Sequence, residues 1–210
     1  MKKGQVRDLI FNALAPIVLV KGFRQKKREG HFFRLIPGGN QTIGVPLVDY
    51  NPEFKFSLHV TVRLDRVEDI KNLFNEAPPE YRAGTTTFVG RLERFMAHEN
   101  SMTNDFRFRV FTEENVKAAL SCLLPVVQNR ILPFLDEHQD VQTIAKAMNL
   151  TVFPKFVSSA SEAFSPVVVA HLSGSPDFNA IVAGYRKCMN DLPESSRQKF
   201  QKLITHLEKL

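Results

Sequence analysis

The chain of 210 residues has no tryptophan, two cysteines, no long apolar run and no catalytic signature, and each lack closes off a class of protein. Cys122 and Cys188 both fall in helical patterns rather than at clustered spacings. That excludes a disulfide framework and a cysteine-based metal site, and both are expected to be free thiols. Met1-Lys2-Lys3 leads into Gln5, Arg7 and Asp8 rather than an apolar stretch with a cleavage site, so no secretory signal is read there. The longest fully apolar runs, such as Ala13–Val20 with Pro16 inside it, are far too short to span a bilayer. The expectation is a reduced, cytoplasmic protein with no membrane partner, in which the sequons at Asn40 and Asn149 carry no meaning.

Reactive groups are equally sparse in pattern. The six histidines are scattered, and no pair stands at i, i+4 on a helix with a glutamate. Each is read as a surface or packed imidazole. His171-Leu172-Ser173-Gly174-Ser175 lacks the glycine two residues before the serine that a nucleophile elbow needs. Gly38-Gly39 is followed by no Lys-Ser/Thr and is a turn rather than a phosphate loop. No cofactor, metal or catalytic residue is assigned.

What the chain does have is positive charge, concentrated in one place. The net charge is +6, and the 14 residues Lys21–Arg34 hold six cations (Lys21, Arg24, Lys26, Lys27, Arg28, Arg34) against the single anion Glu29, a local net of +5. Such an excess attracts a polyanion without choosing among nucleic acid, anionic lipid and acidic protein.

Periodicity supplies the fold. Val6, Leu9, Ile10, Ala13, Leu14 and Ile17 predict a helix from about Gln5 to Val20, kinked or broken at Pro16 and closed by Gly22. Phe23–Gln25 and His31–Ile36 read as strands around a Lys26–Gly30 turn, and Thr42–Val48 as a further strand disturbed by Pro46. Phe54, Phe56, Leu58, Val60, Val62 and Leu64 alternate with polar residues, which predicts one long half-buried strand with a wet face in an antiparallel sheet. Val67, Ile70, Leu73 and Phe74 suggest a short helix, Thr85–Met96 a strand, and Phe106–Val110 the last strand. Thr112 is an N-cap for a long core helix carried by Val116, Ala119, Leu120, Leu123, Leu124, Val127 and Ile131, with Pro125 and Pro133 kinking or dividing it. Helices at about Val141–Met148 and Ser159–Leu172, one capped by Ser175-Pro176 and one begun by Pro193 complete the chain.

The stretch Gly22-Phe23-Arg24 through Phe32-Phe33-Arg34, with Leu132-Pro133-Phe134-Leu135 downstream, resembles a family of bacterial proteins known only as a domain of unknown function. The resemblance spans roughly residues 5–148 and implies no activity. Residues Leu47–Phe54 depart from the family's usual strand sequence.

The expected architecture is α+β: an antiparallel sheet of about five or six strands, helices packed on one face, and a helical C-terminal extension. Residues 1–148 form the α+β domain, and 149–210 a helical region packed on the same core. The candidate partner-binding residues are the hairpin cations Arg24, Lys26, Lys27 and Arg28, and the wet-face residues Arg34, Lys55, His59, Arg63, Arg107 and Arg109. The expected function is a non-enzymatic binding protein that meets an acidic protein or other polyanion through this surface, a class that includes immunity-like roles. The alternative is nucleic-acid binding through the same cations, with Phe106–Phe111 only loosely like an RNA-recognition strand because its glycines are missing. Oligomeric state is left open.

Overall fold

In the computed structural model, residues 1–75, 78–96, 108–154 and 157–210 are described. The elements run α1 (Lys3–Leu19), β1 (Arg24–Lys26), β2 (His31–Ile36), β3 (Gly39–Gly44), β4 (Leu47–Asp49), β5 (Phe54–Phe56), β6 (His59–Leu64), α2 (Asp65–Phe74), α3 (Pro79–Arg82), β7 (Phe88–Arg91), β8 (Phe108–Val110), α4 (Glu113–Val126), α5 (Leu132–Glu137), α6 (Val141–Met148), α7 (Ser161–Leu172), α8 (Phe178–Cys188) and α9 (Glu194–Leu207). The fold is α+β, with a five-stranded antiparallel sheet in the order β1-β2-β3-β6-β7, a three-stranded sheet β4-β5-β8 and a helical C-terminal region. Two compact units are present, one of residues 1–36, 40–62 and 89–137, the other of residues 37–39, 63–88 and 138–210.

In the first unit, α1 buries Val6, Ile10, Phe11, Leu14 and Val18 and packs against α4. It runs unbroken through Pro16, which lies in its last turn and leaves the Asn12 carbonyl without its helical donor. Phenylalanines stack within and at the edge of the interior: Phe11 on Phe32 with ring centroids 4.9 Å apart, and Phe56 on the half-buried Phe108 at 5.1 Å. These contacts lie in the range where aromatic pairs add to their burial.

The 54–64 alternation holds in burial, since Phe54, Phe56, Leu58, Val60, Val62 and Leu64 are all inside. The single long strand does not hold. The backbone leaves ladder pairing at Ser57-Leu58, so β5 joins β4 and β8 while β6 enters the five-stranded sheet. Likewise the expected Thr42–Val48 strand is two strands in two sheets, divided at Val45-Pro46, where proline has no N–H for a ladder. The polar face is half-buried rather than wet: Lys55, Ser57, His59, Thr61 and Arg63 are all partly covered. Of the expected last strand, Phe106 and Arg107 lie outside the described residues.

Thr112 caps α4 as expected, its hydroxyl accepting from Asn115 N at 3.3 Å while Asn115 Oδ1 accepts from Thr112 N at 3.2 Å. Helix runs on from Glu113 to Glu137 by way of a five-residue π turn, Val127–Ile131. Pro133 offers no N–H to the carbonyl four residues back, and the wide turn lies immediately ahead of it. By length and hydropathy this run would suit a membrane span, and in the fold it buries one face, Val116, Leu120, Leu123, Val127, Ile131 and Leu135.

In the second unit α7 is the centre, packed against α2, α6, α8 and α9 and buried along Ala163, Phe164 and Pro166–Ala170. α9 buries the expected stripe of Phe200, Leu203, Ile204 and Leu207. α8 starts two residues later than the Ser175-Pro176 signal, since those residues form the preceding turn, with Phe178 N donating to Ser175 O at 3.2 Å. The expected α2 stripe is corrected: Leu73 is 65% exposed, and the buried face is Val67, Glu68, Lys71 and Asn72.

Candidate site: a basic cleft behind the β1–β2 hairpin

β1 and β2 pair antiparallel, with Arg24 opposite Phe33, Gln25 opposite Phe32 and Lys26 opposite His31. The turn between them closes with Glu29 N on Lys26 O and Gly30 N on Lys27 O, and Gly30 takes a φ of 79°, a conformation that favours glycine. Lys27 ion-pairs with Asp8 of α1, fastening the turn to that helix. Val45 N donates to Gly30 O at 2.8 Å and fastens it to the segment after β3. Between these three walls lies a cleft of about 350 Å³ lined by Arg7, Arg28, His31, Thr42 and His59, with Val45, Pro46 and Leu47 as its apolar side.

The cleft's electrostatics are one-sided. Neither Arg7 nor Arg28 makes an ion pair or side-chain hydrogen bond among the described residues. Glu29 is the lining carboxylate, and it is drawn towards Lys26 at 3.4 Å and His31 at 3.5 Å. Burial, helped by the charge of His31, pushes the His59 imidazole below its ordinary pKa. Its ring lies against Gly44, where a Cβ would fall 2.3 Å from Cε1 and Nε2. Only glycine leaves the ring that position.

The other expected site residues are dispersed. Arg24 is exposed on β1 and makes no ion pair among the described residues. Lys26 also sits over the Phe33 ring at 5.3 Å. Arg34 turns inward: Nε donates to Gln41 Oε1 at 2.8 Å, Nη1 reaches Asp136 Oδ1 at 2.8 Å and Lys21 O at 3.0 Å, and the guanidinium lies over Phe23 at 4.6 Å. Burial raises the Asp136 pKa, but hydrogen bonds from Lys21 and Arg34 outweigh it and hold the carboxyl below the usual range. Lys55 and Arg109 face each other across β5 and β8 and share Glu53, at 3.9 and 3.5 Å. Arg63 is held by Asp65 at 2.8 Å, Arg82 O at 2.8 Å and Thr85. Arg107 lies outside the described residues.

The fold thus brings Arg28 and His59 together and adds Arg7, His31 and Thr42, which sequence reasoning passed over. A flank position beside the buried stripe of α1 was the one available signal for Arg7. A larger groove of about 460 Å³ between α8 and α9 satisfies its own charges, Arg197 with Glu194 at 2.8 Å and Arg186 with Gln201 at 2.8 Å. Among the described residues no cluster of three or more His, Cys, Asp or Glu could hold a metal. No family model, curated protein or solved structure matches the chain, so the functional reading rests on its residues.

Proposed function

We propose that this is a non-enzymatic binding protein that engages an acidic protein or other polyanion through the β1–β2 hairpin. One observation carries the reading: Arg24 and Arg28 on the hairpin, and Arg7 beside it, have no acidic partner among the described residues, whereas Arg34, Lys55, Arg63 and Arg109 are each paired within the fold. Uncompensated guanidiniums are the groups a partner's carboxylates or phosphates would use, since their fork of donors matches those anions.

The test separates a local site from bulk charge. R24E/R28E is compared with K202E/K209E, which changes the net charge equally at exposed positions of the C-terminal region. Retention on immobilised polyglutamate and on heparin should fall to lower salt for the hairpin variant alone. Equal losses in the two variants would sink the proposal. Retention on generic RNA with a steep salt dependence, lost in the same variant, would favour the nucleic-acid alternative.

A further inference from the structure

The cleft behind the hairpin supports a more specific reading, which rests on the proposal that the hairpin is an anion-binding surface. We infer that the cleft is a binding site for one phosphate monoester group, taken by Arg7 and Arg28 with Thr42, His31 and His59 completing the donor set.

The donors come from different elements: Arg7 from α1, Arg28 from the turn, His31 from β2, Thr42 from β3 and His59 from β6. A tetrahedral dianion accepts hydrogen bonds from several directions at once, whereas one planar carboxylate is satisfied by a single arginine fork. Two guanidiniums without an internal acceptor suit the dianion in charge as well. The volume of about 350 Å³ exceeds one bare oxyanion and lies within the range of small-molecule sites. Pro46 and Leu47 on the apolar side suit the organic part of an ester.

The site is built rather than incidental. The Lys27–Asp8 pair and the Val45–Gly30 hydrogen bond hold its walls, and Gly44 leaves the place that the His59 ring fills. Glu29 is the opposing charge at the rim, and Lys26 and His31 already draw it aside.

The experiment is isothermal titration of the whole protein with phenyl phosphate, inorganic phosphate and a phosphoserine peptide. Phenyl phosphate is expected to bind at one site and more tightly than inorganic phosphate. R7Q and R28Q should each weaken it by about tenfold or more, as loss of a charge-assisted hydrogen bond does. H59Q should weaken it as well, R24Q should leave it unchanged, and thermal unfolding confirms that each variant is folded. A peptide that binds more tightly than phenyl phosphate assigns the group to a phosphorylated chain, and the reverse order to a small molecule; either supports the shared chemistry. No saturable binding, or equal binding by wild type, R7Q and R28Q, overturns the inference. If R24E/R28E still loses polyanion retention in that case, the hairpin proposal stands without the cleft. If phosphate binds but retention matches the control variant, the cleft stands and the hairpin proposal falls.

Discussion

Glu68 and Lys71 close an ion pair of 2.8 Å that is sealed from solvent, with side chains 0% and 7% exposed. All three protons of the Lys71 ammonium are used, on Glu68 Oε1, Glu68 Oε2 at 3.0 Å and Thr86 O at 2.9 Å. The Thr87 hydroxyl donates to Glu68 Oε1 at 2.8 Å and accepts from Leu64 N at 3.0 Å. Burial lowers the Lys71 pKa, and Glu68 opposes that shift. K71M leaves a buried carboxylate alone and should cost about 3–5 kcal/mol in urea denaturation. The double variant E68L/K71M should recover much of that loss, because a well-packed apolar pair can replace a buried ion pair. A double variant as unstable as the sum of both singles would count against this account.

Gln41 is fully buried and links three elements, accepting from Arg34 Nε at 2.8 Å and donating from Nε2 to Leu135 O at 2.7 Å. Q41L strips both groups of these bonds, and a destabilisation of about 1–3 kcal/mol is expected. An unchanged urea midpoint would show that the carbonyl and the guanidinium find other partners.

The depressed pKa of His59 makes stability depend on pH in a definite direction. The folded state holds the ring neutral while the unfolded chain takes up the proton at about pH 6.5, so unfolding binds protons below that value. This contribution to stability is full at neutral pH and is lost as pH falls from about 6.5 towards the folded pKa. His31, Arg28, Arg7 and Glu29 share the cleft, and the cations among them act in the same sense as burial. The melting temperature of H59Q should therefore fall less than that of wild type between about pH 7 and about pH 5. Parallel curves would show that another group governs the acid limb.

Gly39 opens β3 where a Cβ would lie 1.9 Å from the backbone oxygen of Arg63. G39A must push two backbones apart, and a loss at or above the upper end of the usual 1–3 kcal/mol for overpacking, about 3 kcal/mol, is expected from denaturation. G4A, where nothing lies within 4 Å of the new Cβ, is the matched control and should be nearly neutral.

Much of the fold was legible because hydropathy reports burial. It found the stripes of α4 and α9 and the inward side of residues 54–64. On α1 it found Val6, Ile10 and Leu14 but not Phe11 and Val18, which are buried in place of Leu9, Ala13 and Ile17. It missed the break at Ser57-Leu58 because burial keeps alternating while the backbone changes sheet, and no glycine or proline marks the spot. It misread α2 because a charged pair that satisfies itself inside looks, residue by residue, like a solvent face. The two units are discontinuous in the chain, so no linker composition announces them. The cleft was half legible: Arg28 stands in an obvious basic run, but Arg7, Thr42 and His59 meet it only through tertiary pairing.

The π turn at Val127–Ile131 sets a rotational phase. Leu132 N bonds to Val127 O, five residues back rather than four, so the turn holds one residue more than regular winding would. Each residue of an α-helix advances about 100° around the axis. If the same residues wound as regular α-helix, Leu132 and Leu135 would swing off the core by up to about that angle, and Asp136 would move away from Lys21 and Arg34. One extra residue in a single turn decides which way the end of the helix faces.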